Sequence, residues 1–253
     1  MNMTTPSQNI NNRFFEGLYK DVWKKLINPG LTKAECEFIR DIAALQPGAT
    51  ILDLMCGYGR HAIELARSGC EVTAVDNLKD YIDEVRRNAE AEGLAVKAYA
   101  EDVLSFQPAE TFDAIICMGN SLAFFNKHDT IQLLKKVAAA LKPGGKFIIS
   151  SWMIAEIAIR HFRQKDWMQV EEYKYLLDYR FQFHPSRIES EHTIIRDDGA
   201  TEVIHGVDYI FTLSELEEMF DAAGLRTQNL YATPRKKPFT LGDQAIYIVA
   251  ESV

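Results

Sequence analysis

Two glycines are the first candidates for chemistry in this 253-residue sequence. Gly57 and Gly59 stand in the stretch LDLMCGYGRHAIELA, where an apolar run that predicts a strand meets an amphipathic run that predicts a helix. Glycine allows backbone angles that are closed to other residues and lets a ligand lie against the main chain. Because the free N–H groups at a helix start attract polar ligand atoms, the junction predicts a binding site.

Three aspartates narrow the class of ligand. Asp76 closes the next predicted strand, EVTAVD, and suits the hydroxyl groups of a ribose. Asp53 precedes the turn, where a carboxylate repels a pyrophosphate and favours a ligand with a positive end. Asp102 follows Glu101 after the third predicted strand, where it can accept a hydrogen bond from an exocyclic amine. Together with the helix–turn–strand stretch LKPGGKFIIS, these features fit a cation-bearing adenosine ligand, of which S-adenosylmethionine is the common one.

Two other functions remain open at this point. The spacing Gly57-x-Gly59-x-x-Ala62 is a weak match to a dinucleotide turn, because the third glycine is missing. An NAD-linked oxidoreductase is therefore the less favoured alternative. A protein that binds S-adenosylmethionine without catalysis is the other, and formation of S-adenosylhomocysteine would separate it from an enzyme.

Strand and helix patterns alternate with short connections from Thr50 to Trp152. This alternation predicts an α/β fold with a doubly wound, mostly parallel, seven-stranded Rossmann-like sheet. Residues 46–164 form the predicted cofactor-binding core, and residues 212–253 complete it. We expect capping boxes at three helix starts: Thr32 with Glu35, Asp129 with Gln132, and Thr212 with Glu215.

Three other segments surround that core. Residues 1–11 are predicted to be a disordered tail, and residues 12–45 to form two helices that act as a lid. Over residues 165–211 the apolar residues recur with period two, which predicts a small antiparallel β insertion. Because the sheet alone offers only an open crevice for a ligand, we expect the lid and the insertion to cover the carboxyl ends of the parallel strands.

Composition and charge limit the partners. The formal net charge is −8 and the sequence pI is about 5.3, which disfavours nucleic acid. The N-terminal residues lack the apolar core of a signal peptide, and the longest nearly apolar stretch is too short to span a bilayer. The four cysteines have neither metal-ligand spacing nor the density of a disulfide scaffold. We therefore expect a soluble, cytoplasmic protein without a metal, a membrane partner or a nucleic-acid partner.

The ordered set of motifs resembles the class I S-adenosylmethionine-dependent methyltransferases over essentially the whole chain. LDLMCGYG is similar to the first motif of that family, VTAVD to its ribose motif, and AEDV to its adenine motif. FFEGLYKDVW, CGYGRHAIELA and GNSLAFF resemble a bacterial small-molecule subgroup of unassigned substrate. The resemblance implies one methyltransferase domain over residues 12–253. It also implies S-adenosylmethionine as cofactor and in-line methyl transfer to a small-molecule acceptor.

The resemblance also implies the cofactor contacts. The loop glycines meet the methionine moiety with Asp53 beside its ammonium group, Asp76 holds the ribose, and Asp102 and Val103 meet the adenine. Met55 departs from the family, because a smaller residue is usual there. The full implied set is Asp53, Cys56, Gly57, Gly59, Asp76, Asn77, Asp102, Val103, Met118 and Gly119.

Candidates for the acceptor pocket come from three parts of the chain: Tyr19 and Trp23, then Asn120 and Phe124, then His205 and Tyr209. The aromatic pair is equally explained by helix packing, and His205 by an ordinary core histidine. Cys56 is not expected to act as a nucleophile, because no paired base is evident. No catalytic residue is assigned. The acceptor, the methylated atom and the oligomeric state stay open, and a dimer is compatible with the sequence.

Overall fold

The computed structural model describes residues 9–253. Within that range the alternation predicted from Thr50 to Trp152 is present, but the stretch LKPGG lies in a strand rather than in a helix end and turn, and the helix Ala155–His161 was not predicted. The helices and strands are α1 Gly17–Leu26, α2 Pro29–Ile42, β1 Thr50–Leu54, α3 Arg60–Arg67, β2 Glu71–Asp76, α4 Lys79–Glu92, β3 Val96–Ala100, β4 Phe112–Cys117, α5 Lys127–Ala140, β5 Leu141–Ser151, α6 Ala155–His161, β6 Lys165–Val170, β7 Tyr173–Phe183, β8 Ser186–Arg196, β9 Thr201–Tyr209, α7 Leu213–Ala223, β10 Leu225–Tyr231 and β11 Ile246–Ser252, with short 3-10 helices at Ile10–Arg13 and Ser121–Phe124.

The chain divides into two compact units. The core unit comprises residues 28–162 and 210–253, and the insertion unit comprises residues 9–27 with residues 163–209. The two helices of the predicted lid fall in different units, α1 in the insertion unit and α2 in the core unit. The expectation that the lid and the insertion cover the parallel strands stays a prediction.

A seven-stranded sheet forms the centre of the core unit, in the order β10-β11-β5-β4-β1-β2-β3. Neighbours from β3 to β5 pair in parallel, whereas β11 pairs antiparallel with both β5 and β10. The predicted mostly parallel, doubly wound sheet is confirmed. Its central strands are apolar runs because helices cover both faces.

Strand β1 shows how the two faces are filled. Leu52 and Leu54 are buried in one apolar cluster with α5 and α7, whereas Ile51 is buried in the other with α2, α3 and α4. Side chains alternate along a strand, so Asp53 points to the same face as Ile51. A carboxylate therefore enters the layer between the sheet and helices α2, α3 and α4.

Two of the three predicted capping boxes are wrong. Helix α2 begins at Pro29 with Asn28 as its N-cap, and α5 begins at Lys127 with Asn126 as its N-cap. Each asparagine side chain accepts a backbone N–H bond, from Gly30 and Asp129 respectively, so each helix starts before the predicted box. The box of Thr212 with Glu215 on α7 is confirmed.

The insertion unit is an antiparallel sheet in the order β6-β7-β8-β9, as the hairpin pattern predicts. Helix α1 packs on one face of it through buried side chains such as Tyr19 and Val22. The predicted tail lies mostly on residues 1–8, outside the described residues. Its last residue needs correction, since the Asn11 side chain bonds both the N–H and the carbonyl of Val207. No helix within residues 9–253 has the length and apolar character needed to cross a bilayer.

Candidate active site

The loop between β1 and α3 turns the chain with three residues in the left-handed region. The φ angle is +55° at Met55, +55° at Gly57 and +81° at Gly59. A Cβ built at Gly59 would lie 2.5 Å from a methyl carbon of Val85, whereas one at Gly57 would lie 3.9 Å from the nearest ring carbon of Tyr81. Packing and backbone angle thus both require glycine at 59, and backbone angle alone at 57.

These two glycines give a matched test of the loop. We expect Gly59→Ala to be about 1–3 kcal/mol less stable than Gly57→Ala, because it adds an overpacking clash to the same backbone strain. Urea denaturation of both variants measures the difference. Adding Val85→Ala to Gly59→Ala should recover part of the loss. Equal stabilities of the two single variants would show that Val85 does not limit the loop.

Asp53 is a buried carboxylate with an unused oxygen. The residue is 1% exposed, and the backbone N–H of Ala62 opposes the rise in its pKa. Among the described residues, Oδ2 has no hydrogen-bond partner. Burial raises the pKa of Asp53 to about 7, nearby Asp76 adds to the increase, and Arg60 opposes it. A buried carboxylate oxygen without a partner is unfavourable unless a ligand donates to it.

Asp76 joins the glycine loop to the end of β2. Its Oδ2 accepts from the backbone N–H of Gly57 at 2.9 Å, and its Oδ1 accepts from that of Leu78 at 2.9 Å. Burial raises the pKa of Asp76, and these two bonds oppose that shift. Each carboxylate oxygen has a second lone pair, so both remain able to accept from ribose hydroxyls. The neighbouring Asn77 is exposed.

The ends of β3 and β4 lie along the same edge of the sheet as this loop. The N–H of Glu101 donates to the carbonyl of Asp76 at 3.0 Å, which ties the end of β3 to that of β2. Asp102 accepts from the N–H of Leu104 through Oδ1 at 2.8 Å, and Val103 beside it is buried. The structure therefore brings the acids that follow β2 and β3 to one edge, where open α/β sheets bind ligands.

After β4, the chain is fixed by the end of β5. Met118 is buried, and the N–H of Gly119 donates to Ser150 Oγ at 2.9 Å. Asn120 is 3% exposed, and its amide oxygen accepts from Ser151 Oγ at 2.7 Å. Phe124 packs against the apolar cluster of the α5 face. Of the two predicted acceptor residues here, Asn120 thus braces the strand ends and Phe124 contributes to the core.

Cys56 lies inside the loop and is buried. Burial raises its pKa well above the usual range for a thiol, and the charges of Asp53 and Asp76 add to the increase. Because the thiolate is the reactive form, this position disfavours a nucleophilic role. Within residues 9–253, no group of three or more His, Cys, Asp and Glu side chains is arranged to hold a metal ion.

A buried polar network next to the loop was missed from the sequence. Glu35 on α2 is 2% exposed and accepts from Arg60 Nη1 at 2.5 Å and from the Tyr247 hydroxyl at 2.9 Å, and it bonds His61 Nε2 at 2.9 Å. Burial raises the pKa of Glu35, but bonds to His61 and the Arg60 charge outweigh it and lower the pKa to about 2. Thr32, the other half of the predicted box, accepts from Arg60 Nη1 at 3.0 Å.

Tyr19 and Trp23, predicted for the acceptor, lie in an aromatic cluster of the insertion unit. Their rings stack at 6.3 Å with an interplanar angle of 14°. Tyr19 also meets Tyr175 at 5.9 Å and His192 at 5.8 Å, edge to face. The Tyr175 hydroxyl bonds Nδ1 of His192, and burial lowers the pKa of that histidine to about 4. The cluster is a neutral, hydrogen-bonded aromatic core.

His205 and Tyr209 do not join that cluster. The His205 side chain is 57% exposed and lies 3.9 Å from Glu191 on the outer face of the sheet. Alternation along β9 places Ile204 and Gly206 on the inner face instead. A Cβ at Gly206 would lie 2.7 Å from the ring of Phe14. A glycine inside a strand marks such a close approach, so Gly206 is the sequence signal that could have identified the buried face.

Comparison with known proteins supports a methyltransferase fold. Residues 51–145 match the profile of a family described as a methyltransferase domain. The ubiquinone biosynthesis O-methyltransferase of Coxiella burnetii (strain RSA 493 / Nine Mile phase I) is 31% identical over 161 residues, which are 59% of this chain and 65% of that protein. The protein of the same description from Xylella fastidiosa (strain M23) is 36% identical over 107 residues, 41% of this chain and 42% of that protein. The chain thus spans less than two thirds of the length of these relatives.

Solved structures resemble nearly the whole chain. An S-adenosylmethionine-dependent methyltransferase from Clostridium acetobutylicum ATCC 824 has a TM-score of 0.81 at 17% identity, over 93% of this chain and 96% of that one. An amino pentose methyltransferase from Micromonospora echinaspora was solved with S-adenosylmethionine bound. It has a TM-score of 0.69 at 20% identity, over 94% of this chain and 98% of that one. A sugar N-methyltransferase from a Streptoalloteichus species has a TM-score of 0.69 at 19% identity, over 100% of both chains. At these identities the likeness establishes the fold.

Proposed function

We propose that this chain is a class I S-adenosylmethionine-dependent methyltransferase and that it transfers the methyl group of S-adenosylmethionine to a small-molecule acceptor. The observation that carries the proposal is the unused Oδ2 of Asp53, buried beside a loop with three left-handed residues. Relatives described as O-methyltransferases and N-methyltransferases both resemble the chain, so the proposal stops at the class of acceptor.

The residues along the sheet edge match the parts of this cofactor. The loop at Gly57 and Gly59 would hold the methionine moiety, with Asp53 accepting from its ammonium group. Asp76 would accept from the ribose hydroxyls, while Asp102 and the Val103 N–H would meet the adenine. The remaining predicted contacts line the same edge: Cys56, Asn77, Met118 and Gly119. When bound, S-adenosylmethionine supplies an electrophilic methyl group on a positively charged sulfur.

Charge favours this ligand over a dinucleotide. Asp53 and Asp76 are both buried at the loop, and the nearby Arg60 is paired with Glu35 through Nη1. A pyrophosphate placed there would face two carboxylates, whereas an ammonium and a sulfonium would be stabilised by them. The buried acids thus support a cationic cofactor.

Methyl transfer from S-adenosylmethionine does not require a nucleophilic side chain of the protein. In-line displacement needs alignment of the acceptor and exclusion of water, which fixed loops and buried walls supply. The raised pKa of Cys56 agrees with a thiol that only lines the site.

A cytoplasmic location is part of the same proposal. All four cysteines are free and buried. Unpaired thiols are usual in reducing compartments, where disulfides are rare.

Product formation tests the enzyme directly. We expect the protein, incubated with S-adenosylmethionine and a pool of small metabolites, to form S-adenosylhomocysteine that mass spectrometry detects. Asp76→Ala should reduce the rate about tenfold or more, because each lost charge-assisted bond contributes about 1.5–3 kcal/mol. Asp80→Asn, an exposed acid in the first turn of α4, is the matched control and should leave the rate unchanged.

Two results would contradict the proposal. Tight binding of S-adenosylhomocysteine without turnover in any metabolite pool would indicate a binding protein. Equal rates for Asp76→Ala and Asp80→Asn would remove Asp76 from the site.

A further inference from the structure

Arg60 is the first residue of α3 and follows the glycine loop directly. Its side chain is 11% exposed, so water shields the guanidinium only weakly. Both of its hydrogen bonds use Nη1, to Thr32 Oγ1 at 3.0 Å and to Glu35 Oε2 at 2.5 Å. These two hydrogen bonds to one nitrogen fix the plane of the guanidinium.

The opposite edge of that guanidinium is available. Among the described residues, Nε and Nη2 of Arg60 have no hydrogen-bond partner. These two nitrogens present parallel N–H bonds, the arrangement that binds a carboxylate through both oxygens. The ion pair with Glu35 uses only Nη1, so it leaves this pair of nitrogens unoccupied.

Asp53 supplies the second observation. It precedes the loop, as Arg60 follows it, and the positive charge of Arg60 opposes the rise in its pKa that burial causes. Its buried Oδ2 lacks a partner among the described residues. One unused anionic acceptor and one unused cationic fork at the same loop are complementary to a zwitterion.

We propose that Arg60 is the residue that selects cofactors with an α-carboxylate: its Nε and Nη2 bind the carboxylate of the methionine moiety while Asp53 Oδ2 accepts from the ammonium group. Thr32 and Glu35 hold the fork in place before the ligand arrives. The assignment rests on the proposed cofactor site at this loop. It adds a consequence for specificity, because a decarboxylated sulfonium nucleoside would satisfy Asp53 and leave Arg60 unpaired.

Paired affinities separate this role from a structural one. S-adenosylhomocysteine and its decarboxylated analogue are titrated by calorimetry into the wild type and Arg60→Met. We expect the wild type to prefer S-adenosylhomocysteine by about 10- to 100-fold, the range for one bond to a charged partner. In Arg60→Met the preference should fall to about threefold or less, with little change for the analogue. Arg60→Lys should lie between them, because it keeps the charge without the fork.

Arg67→Met is the matched control. Arg67 lies at the other end of α3, where it pairs with Glu64 and Glu92 and is half exposed. This variant should keep the wild-type preference. If Arg60→Met weakened the affinity for both ligands by the same factor, or left both affinities unchanged, the preference would stay as in the wild type. That result would overturn the Arg60 assignment alone. A wild type that binds neither ligand would overturn the cofactor site as well.

Discussion

Replacing Asp53 by asparagine is expected to stabilise the ligand-free protein and to weaken cofactor binding. The carboxylate is 1% exposed, and its Oδ2 has no partner within the described residues. A neutral amide of the same shape reduces the unfavourable burial by about 1–3 kcal/mol, which corresponds to roughly 2–4 °C in melting temperature per kcal/mol. The same change removes the acceptor for an ammonium group, so affinity for S-adenosylhomocysteine should fall about 10- to 100-fold.

The pH dependence has a defined direction. Burial, with Asp76 adding to it, raises the pKa of Asp53 to about 7, above its value in the unfolded chain. The buried charge therefore lowers the free energy of unfolding above pH 7. That stability is regained as the carboxylate becomes protonated between pH 7 and pH 4. His192, with its pKa lowered to about 4, acts in the opposite direction from pH 6.5 to 4. The difference between wild type and Asp53→Asn isolates the Asp53 part.

Cofactor affinity should follow the ionised form of Asp53. Binding of S-adenosylhomocysteine to the wild type should weaken below pH 7, by up to about tenfold per pH unit, and Asp53→Asn should lose this dependence. Asp113→Asn on β4 is the control, because Asp113 bonds Lys142 and Thr50 at 2.8 Å each. That variant should lower the melting temperature. A lower melting temperature for Asp53→Asn as well would show that Asp53 is satisfied without a ligand.

The sheet and the loop were predictable because local signals agreed there. The apolar run of β1, the two glycines and the amphipathic start of α3 each indicate the same junction. Gly59 is required by its own backbone angle and by Val85, and such a requirement is visible in the sequence as a glycine. Consistent local preferences of this kind fix an element before any distant contact forms.

The start of α2 was not predictable from local signals, because two of them compete. Asn28-Pro29 and the Thr32–Glu35 pair are both good helix starts, and they lie within one turn of each other. The structure uses Asn28 as the cap and gives Thr32 and Glu35 to Arg60. Arg60 is distant in the sequence, so only the packing of α2 on α3 decides between the two.

Sequence patterns also did not show which histidine of the insertion unit is buried. Both faces of β8 and β9 carry apolar residues, so alternation alone does not say which face is covered. The ring of Phe14 packs at Gly206 and selects the face with Ile204. His205 is then exposed, and His192, on the neighbouring strand β8, is buried. A contact between the N-terminal segment and β9 sets this outcome.

Removing Glu35 should cause the largest loss of stability in the core unit. Its carboxylate is the common partner of Arg60, His61 and Tyr247, which come from α3 and β11. Glu35→Ala leaves a buried guanidinium with only Thr32 and two further polar groups without their acceptor. Breaking a buried ion pair from one side costs about 3–5 kcal/mol, and we expect a loss in that range by urea denaturation.

Two comparisons make the Glu35 result specific. Glu64→Ala removes one of the two partners of Arg67, the one on the same helix at 3.2 Å, where the side chains are 33% and 50% exposed, so it should change stability by less than about 0.5 kcal/mol. Glu35→Gln keeps an acceptor for Tyr247 without the charge and should lie between the two. Because hydrogen bonds and nearby cations outweigh burial and lower the pKa of Glu35 to about 2, its contribution is present above pH 4.5 and is lost as the pH falls towards 2. A Glu35→Ala variant as stable as Glu64→Ala would mean that water replaces the network without loss, and Arg60 would then owe its placement to Thr32 alone.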